Sequence, residues 1–253
     1  MPRYKIIIEY IGTNFFGSQW QPEKRTIQDE LIKAISTLTK TKTKVILSGR
    51  TDKGVHAQGQ VAHFDCEPQI EDMEKFLYQV NSILPDDMSV KNIEMTEPRF
   101  HAQKSAKWKW YQYKIVSRNR RSCFDERCFY TRQNLDVERI NKMLNFLIGE
   151  HDFSAFKSSQ TTNPAKICNM YKSECTKSGD EYIFDFVADR FLYNMIRSII
   201  GTVLMIEKDS LSPSKMNEIL KSKDRTKAGQ TAEPDGLVLK EVSYTQEIKL
   251  EAQ

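Results

Sequence analysis

No stretch of this sequence reads as a cradle for a nucleotide cofactor. It contains neither G-x-G-x-x-G nor G-x-x-x-x-G-K-[ST], and it has no G-x-S-x-G elbow for a serine nucleophile. No apolar run is long enough to span a bilayer and none reads as a secretory signal, so a reducing cytoplasm is the expected setting. The five cysteines, Cys66, Cys123, Cys128, Cys168 and Cys175, are odd in number. Cys123 and Cys128 have no second closely spaced Cys or His pair to complete a four-ligand set, and the four histidines are scattered. No metal site is expected, and the thiols read as buried or idle. The charge is not strongly one-sided either: a net +4 over 253 residues, with 39% hydrophobic and 28% charged positions, describes a globular chain large enough for one or two cores. Any nucleic-acid binding must therefore come from local clustering of basic groups. There is no literal internal repeat and no low-complexity linker.

What the chain does have is the run SGRTDKGVHAQGQVAHFD over residues 48–65. It sets one carboxylate, Asp52, between Arg50 and Lys53, with Gly49, Gly54 and Gly59 nearby to permit left-handed or strained backbone and close approach of another chain. Cationic neighbours keep a carboxylate ionised, which suits a nucleophile or base and not a proton donor. The competing reading is an Asx-turn residue that bonds its own backbone. His56 and His63 read as structural hydrogen-bonders, since no carboxylate-rich partner set accompanies them.

Two other segments carry chemistry. KSAKWKWYQYKIVSRNRR, residues 104–121, interleaves four lysines and three arginines with two tryptophans and two tyrosines, a mixture suited to phosphate neutralisation and base stacking. As an extended strand it puts Trp108, Trp110, Gln112 and Lys114 on one face and Lys109, Tyr111, Tyr113 and Ile115 on the other, so some of these rings are expected to pack. Near Phe191 a helix is expected whose apolar arc is Leu192, Ile196, Ile199, Ile200 and Val203, with Arg190, Asn194, Arg197 and Gly201 on a neighbouring polar side. Arg197 beside that stripe can be a partly sheltered fork of donors for a carboxylate, or a surface arginine with its stem on the apolar arc.

The remaining pattern alternates strands and helices. Strands are expected over 3–11, 45–48, 60–65, 89–96 and 109–116, with helices over 27–38, started by Thr26 and Asp29, and over 70–83, closed by Pro85. A helix over 137–148 and strands over 167–176 and 182–188 follow. The short Ser-Gly-Asp turn between these last two strands requires an antiparallel pair, which excludes a purely parallel doubly wound sheet.

The signature run resembles the loop of the TruA family of tRNA pseudouridine synthases, in which the Asp of Gly-Arg-Thr-Asp is the nucleophile. EYIGTNFFGSQWQ (9–21), DFSAFKSS (152–159), FLYNMIRSIIG (191–201) and RTKAGQTAEPDGLVLKEVSY (225–244) resemble further family blocks in family order. Several long blocks at compatible spacing are far more specific than one short motif. The resemblance implies an isomerase that turns uridine into pseudouridine at positions 38 to 40 of the tRNA anticodon arm, without a cofactor, as a homodimer. It implies Asp52 and Arg197 as catalytic groups, paired with each other. Tyr111, the first Tyr of [RK]-x-Y-x-Y, would stack on the uracil, and Arg50, Lys53, Gly54 and His56 would bind substrate. The implied fold is mixed α/β: two ferredoxin-like halves, 1–105 and 106–253, with joined antiparallel sheets and the active site in the cleft between them. Ile11, Ser18 and Gln103 depart from the family pattern at positions that bear on RNA contacts and first-strand packing. Alternatives are a non-catalytic RNA-binding protein, a synthase acting on uridines of other RNAs, and a nucleic-acid glycosidase that would release free uracil.

Overall fold

The computed structural model describes residues 1–158 and 166–248. In chain order the elements are β1 (Arg3–Tyr10), α1 (Ile27–Thr39), β2 (Val45–Leu47), β3 (His56–Asp65), α2 (Met73–Ile83), β4 (Met88–Thr96) and β5 (Trp108–Ser117). They continue with β6 (Phe129–Thr131), α3 (Val137–Asn145), β7 (Gly149–Asp152), β8 (Ile167–Ser178), β9 (Glu181–Ala188), α4 (Met195–Lys208), α5 (Lys215–Ser222) and β10 (Leu237–Ser243). The fold is mixed α/β. The chain divides into two compact units, 1–108 with 238–253, and 109–237. The sequence implies a single boundary near Ala106. The chain in fact returns to the first unit at its end, because β10 pairs in parallel with β3 through Val238↔His56 and Leu239↔Ala57.

The first unit follows from period-two burial in β1, where Tyr4, Ile6, Ile8 and Tyr10 point into the core and the residues between them are half-buried. β1 pairs antiparallel with β3 and with β4, and β2 pairs with β3, giving the order β4-β1-β3-β2 of a β-α-β-β-α-β ferredoxin-like unit. Thr26 starts α1 by accepting from the Asp29 amide, and the helix buries Ile27, Leu31, Ala34 and Ile35 at helical spacing. α2 begins at Met73, later than the expected residue 70, because Asp72 takes the cap position and accepts from the Lys75 amide at 2.8 Å.

In the second unit β5, α3, β8, β9 and α4 repeat the β-α-β-β-α sequence, with strand order β5-β9-β8-β7. β8 and β9 form the expected antiparallel pair. β6 lies parallel to β5, so neither unit's sheet is purely antiparallel. Tyr113, Phe184, Phe186, Ile199, Ile200 and Val203 are fully buried in this unit's core. α4 starts at Met195 and not near Phe191, since Asn194 sits at φ +62°, outside the right-handed helical region. α5, β6, β7 and β10 have no counterpart in the sequence reading. Of the family-like block at 152–159, Ser159 lies outside the described residues. No described helix is long and apolar enough to cross a membrane.

Candidate active site

Asp52 lies in the connection between β2 and β3 and is half-buried. Its carbonyl accepts from the Val55 amide at 3.1 Å, closing a four-residue turn with Gly54 third, at φ +84°. A positive φ at that position is the type II requirement, met by glycine without a steric penalty. This turn is closed by backbone.

The residue before Asp52 is fixed from three directions. Thr51 donates its amide to Ser18 Oγ at 2.8 Å, its carbonyl accepts from the Ser18 amide at 3.1 Å, and its hydroxyl meets Tyr10 Oη at 2.8 Å. Gln60 continues the network: Nε2 donates to the Gly49 carbonyl at 3.1 Å, and Oε1 accepts from Ser48 Oγ at 2.6 Å and from the Val61 amide at 3.2 Å. Ser18, Gln60 and Ser48 are 0% exposed, so leaving one of their side-chain polar atoms unsatisfied is costly. Burial pushes the Tyr10 phenol up to about 12, so its hydroxyl stays neutral at physiological pH. The loop after β1 reaches the turn only because it carries glycine twice. A Cβ on Gly12 would sit 2.0 Å from the Val55 carbonyl oxygen, and one on Gly17, at φ +86°, 2.9 Å from the Thr51 oxygen.

The structure gives Ser18, one of the departures from the family pattern, a definite place. It is a buried grip on the backbone next to Asp52, and no periodicity or motif in the sequence marks it as such. Ile11 and Gln103 are exposed. Arg50 and Lys53 are exposed on either side of the acid, and Gly54 is buried in the turn. His56 begins β3, and its Nδ1 accepts from the Gly12 amide at 3.1 Å. His63 accepts from the Ala102 amide at 3.1 Å, and burial, with Arg3 nearby, pulls its imidazole down to about 4.

In the second unit Tyr111 is buried on β5 opposite Phe186 of β9, and its ring meets Phe191 edge-on at 5.1 Å. Two residues earlier on the same strand face, burial draws the Lys109 ammonium down to about 8. Arg197, half-buried in the first turn of α4, donates Nε to the Ala232 carbonyl at 2.7 Å and Nη1 to Asn194 Oδ1 at 3.0 Å. The Ala232 amide returns a bond to the Arg197 carbonyl at 3.0 Å. Gly201, expected on the polar side of the helix, is buried: a Cβ there would lie 1.7 Å from the Gln230 oxygen, so glycine is what lets the 229–232 segment lie on α4. Arg225 ties the same segment down, donating to the Gly229 carbonyl at 3.0 Å and to Thr231 Oγ1 at 2.9 Å.

The profile of a family described as tRNA pseudouridine synthase matches residues 6–103 and 131–245. The chain belongs to this family. A tRNA pseudouridine synthase A from Geobacillus kaustophilus is 42% identical over 247 residues, covering 97% of this chain and 95% of that protein. Those of Methylococcus capsulatus, 38% identical over 249 residues (98% and 92%), and of a Thermoanaerobacter species, 40% identical over 245 residues (96% and 100%), match over similar lengths. As a tRNA pseudouridine synthase family member, the chain is an isomerase.

The Asp52 turn and Arg197 both lie inside the matched stretches, while Tyr111 lies between them. Among the described residues no group of three or more His, Cys, Asp or Glu side chains could hold a metal ion. All five cysteines are free thiols, and Cys66, Cys168 and Cys175 are buried.

Proposed function

We propose that this chain converts uridine to pseudouridine in the anticodon arm of tRNA, at positions 38 to 40, with Asp52 as the nucleophile. The N1–C1′ bond breaks, the base turns, and C5 bonds to C1′. C5 gives up its proton and N1 ends protonated, so the rearrangement needs no redox partner. The carboxylate attacks either the ribose C1′, as glycosidase nucleophiles do, or C6 of the uracil. Reaching either atom requires the nucleotide to leave its stack, at a cost of a few kcal/mol. Arg50 and Lys53 offset part of that cost through phosphate contacts, Tyr111 stacks on the base, and Gly54 and His56 shape the turn that receives it. Arg197, with its planar fork of donors, holds the nucleophile's carboxylate, a role taken from the family. The reading extends to a homodimer working in the cytoplasm.

The observation that carries this reading is the Asp52 turn: a single carboxylate whose preceding residue is fixed by three hydrogen bonds, in a chain of this family. Binding alone does not require the residue before an acid to be pinned so firmly, whereas a nucleophile gains from pre-positioning. The test is Asp52→Asn on a transcribed tRNA carrying uridines at 38 to 40. Product should fall by about a thousandfold or more while tRNA affinity stays within about tenfold. Turnover near that of the parent chain would remove Asp52 from the nucleophile's role, and free uracil as product would make the chain a glycosidase.

A further inference from the structure

Phe15 and Phe16 are neighbours in the loop after β1, and each has a cation over its ring, in opposite circumstances. Phe15 is 1% exposed and lies under Arg25, whose guanidinium carbon is 4.1 Å from the ring centre. Arg25 is neutralised by a two-pronged contact with Asp87, at 2.7 and 2.8 Å, and has Glu30 at 3.6 Å. That arrangement is closed and structural.

Phe16 is 39% exposed, with the ammoniums of Lys53 and Lys24 at 4.4 and 4.8 Å from its ring centre. Among the described residues neither ammonium has a carboxylate oxygen within 4.0 Å. Two ammoniums held at one exposed ring leave a local excess of positive charge that an exposed cation–π contact does not neutralise. An anion bound beside them removes it. The platform is also fixed in place: the Phe16 amide donates to the Arg25 carbonyl at 2.9 Å, and its carbonyl accepts from Gln21 Nε2 at 2.7 Å. Lys53 directly follows Asp52 in the turn, and a Cβ on Gly17, the residue after Phe16, would lie 3.5 Å from the Asp52 carbonyl carbon, so the loop that carries the ring passes close to the backbone of the acid. Trp20, 52% exposed in the same loop, adds a second flat apolar surface.

We infer that Phe16, Lys24 and Lys53 form a subsite for the RNA strand flanking the reacting nucleotide, with the lysines taking a phosphodiester and the Phe16 ring an unpaired base. The inference rests on the proposed function and deepens it by naming what grips the strand next to the extruded uridine.

The test measures binding of a transcribed tRNA by the full chain between about 50 and about 200 mM salt, together with product formation on the same tRNA. Lys24→Gln should lower the slope of log affinity against log salt by about one, the signature of a lost phosphate contact. Phe16→Leu should weaken binding about five- to tenfold while Phe16→Tyr keeps it, because only the flat ring supports stacking. In both weakened variants KM should rise, with kcat within about twofold and an unchanged unfolding midpoint. Wild-type affinity and slope in both Lys24→Gln and Phe16→Leu would overturn the subsite and leave the proposed activity standing. A wild-type chain that makes no pseudouridine, but whose binding falls in both variants, would keep the subsite and sink the activity. Failure of the wild type to bind tRNA at low salt would overturn the subsite outright.

Discussion

The first unit holds its candidate residue through side chains, whereas the second holds its own mainly through backbone. Around Asp52 the contacts come from Ser18, Tyr10, Thr51, Gln60 and Ser48, several of them fully buried. Around Arg197 they include Asn194 Oδ1 and the Ala232 carbonyl and amide, the latter in a segment laid against the helix at Gly201 and tied down by Arg225. A network of side chains can be weakened one bond at a time, so damage there should be graded. A backbone seated against a glycine has no room for a single added carbon, so damage there should be abrupt.

Gly201→Ala is the harshest break of the comparison. The added carbon would overlap the Gln230 oxygen and push the 229–232 segment off α4, so we expect a loss of about 3 kcal/mol or more in urea unfolding. A loss below about 1 kcal/mol would mean that the segment yields easily and that the two units hold their residues in similar ways. Arg197→Lys keeps the charge but replaces the fork, and turnover should fall about a hundredfold in a chain that still folds. Unchanged turnover would return Arg197 to a surface role.

Ser18→Ala tests the graded side. Thr51 loses the hydroxyl that accepts its amide, which should reduce kcat about tenfold, destabilise by about 1–2 kcal/mol and leave KM for tRNA within about twofold. A raised KM with unchanged kcat would make Ser18 an RNA contact. The mildest effect is pH-dependent. Because burial pulls His63 down to about 4, the folded state favours its neutral form. That stabilisation is fully present above the ordinary imidazole value of about 6.5 and is lost as the pH falls toward 4. His63→Gln should flatten the fall in unfolding free energy over that window, and an unaltered profile would show that other groups govern it.

How much was legible follows from the range of the signals. β1, α1 and the β8–β9 pair could be read because burial with period two or near four, a cap residue and a short turn are local properties. β10 was missed because seven residues of ordinary strand character acquire meaning only when β3 offers an edge. α4 begins later than its periodicity suggests because the left-handed Asn194 has no sequence marker. Tyr111 was named from a family pattern, and its packing against Phe191 could not be anticipated from spacing within β5.

The sequence by itself determined the family, the mixed α/β class and the position of the single acid between two cations and a glycine, since each is written in contiguous residues. Only the tertiary structure decided that Ser18 is a buried grip on Thr51, that His56 is a hydrogen-bond acceptor for Gly12, and that Gly201 belongs to the core. Those roles arise where segments distant in sequence meet, and a hydrogen bond or a missing Cβ has an effect only when the second segment is there to meet it.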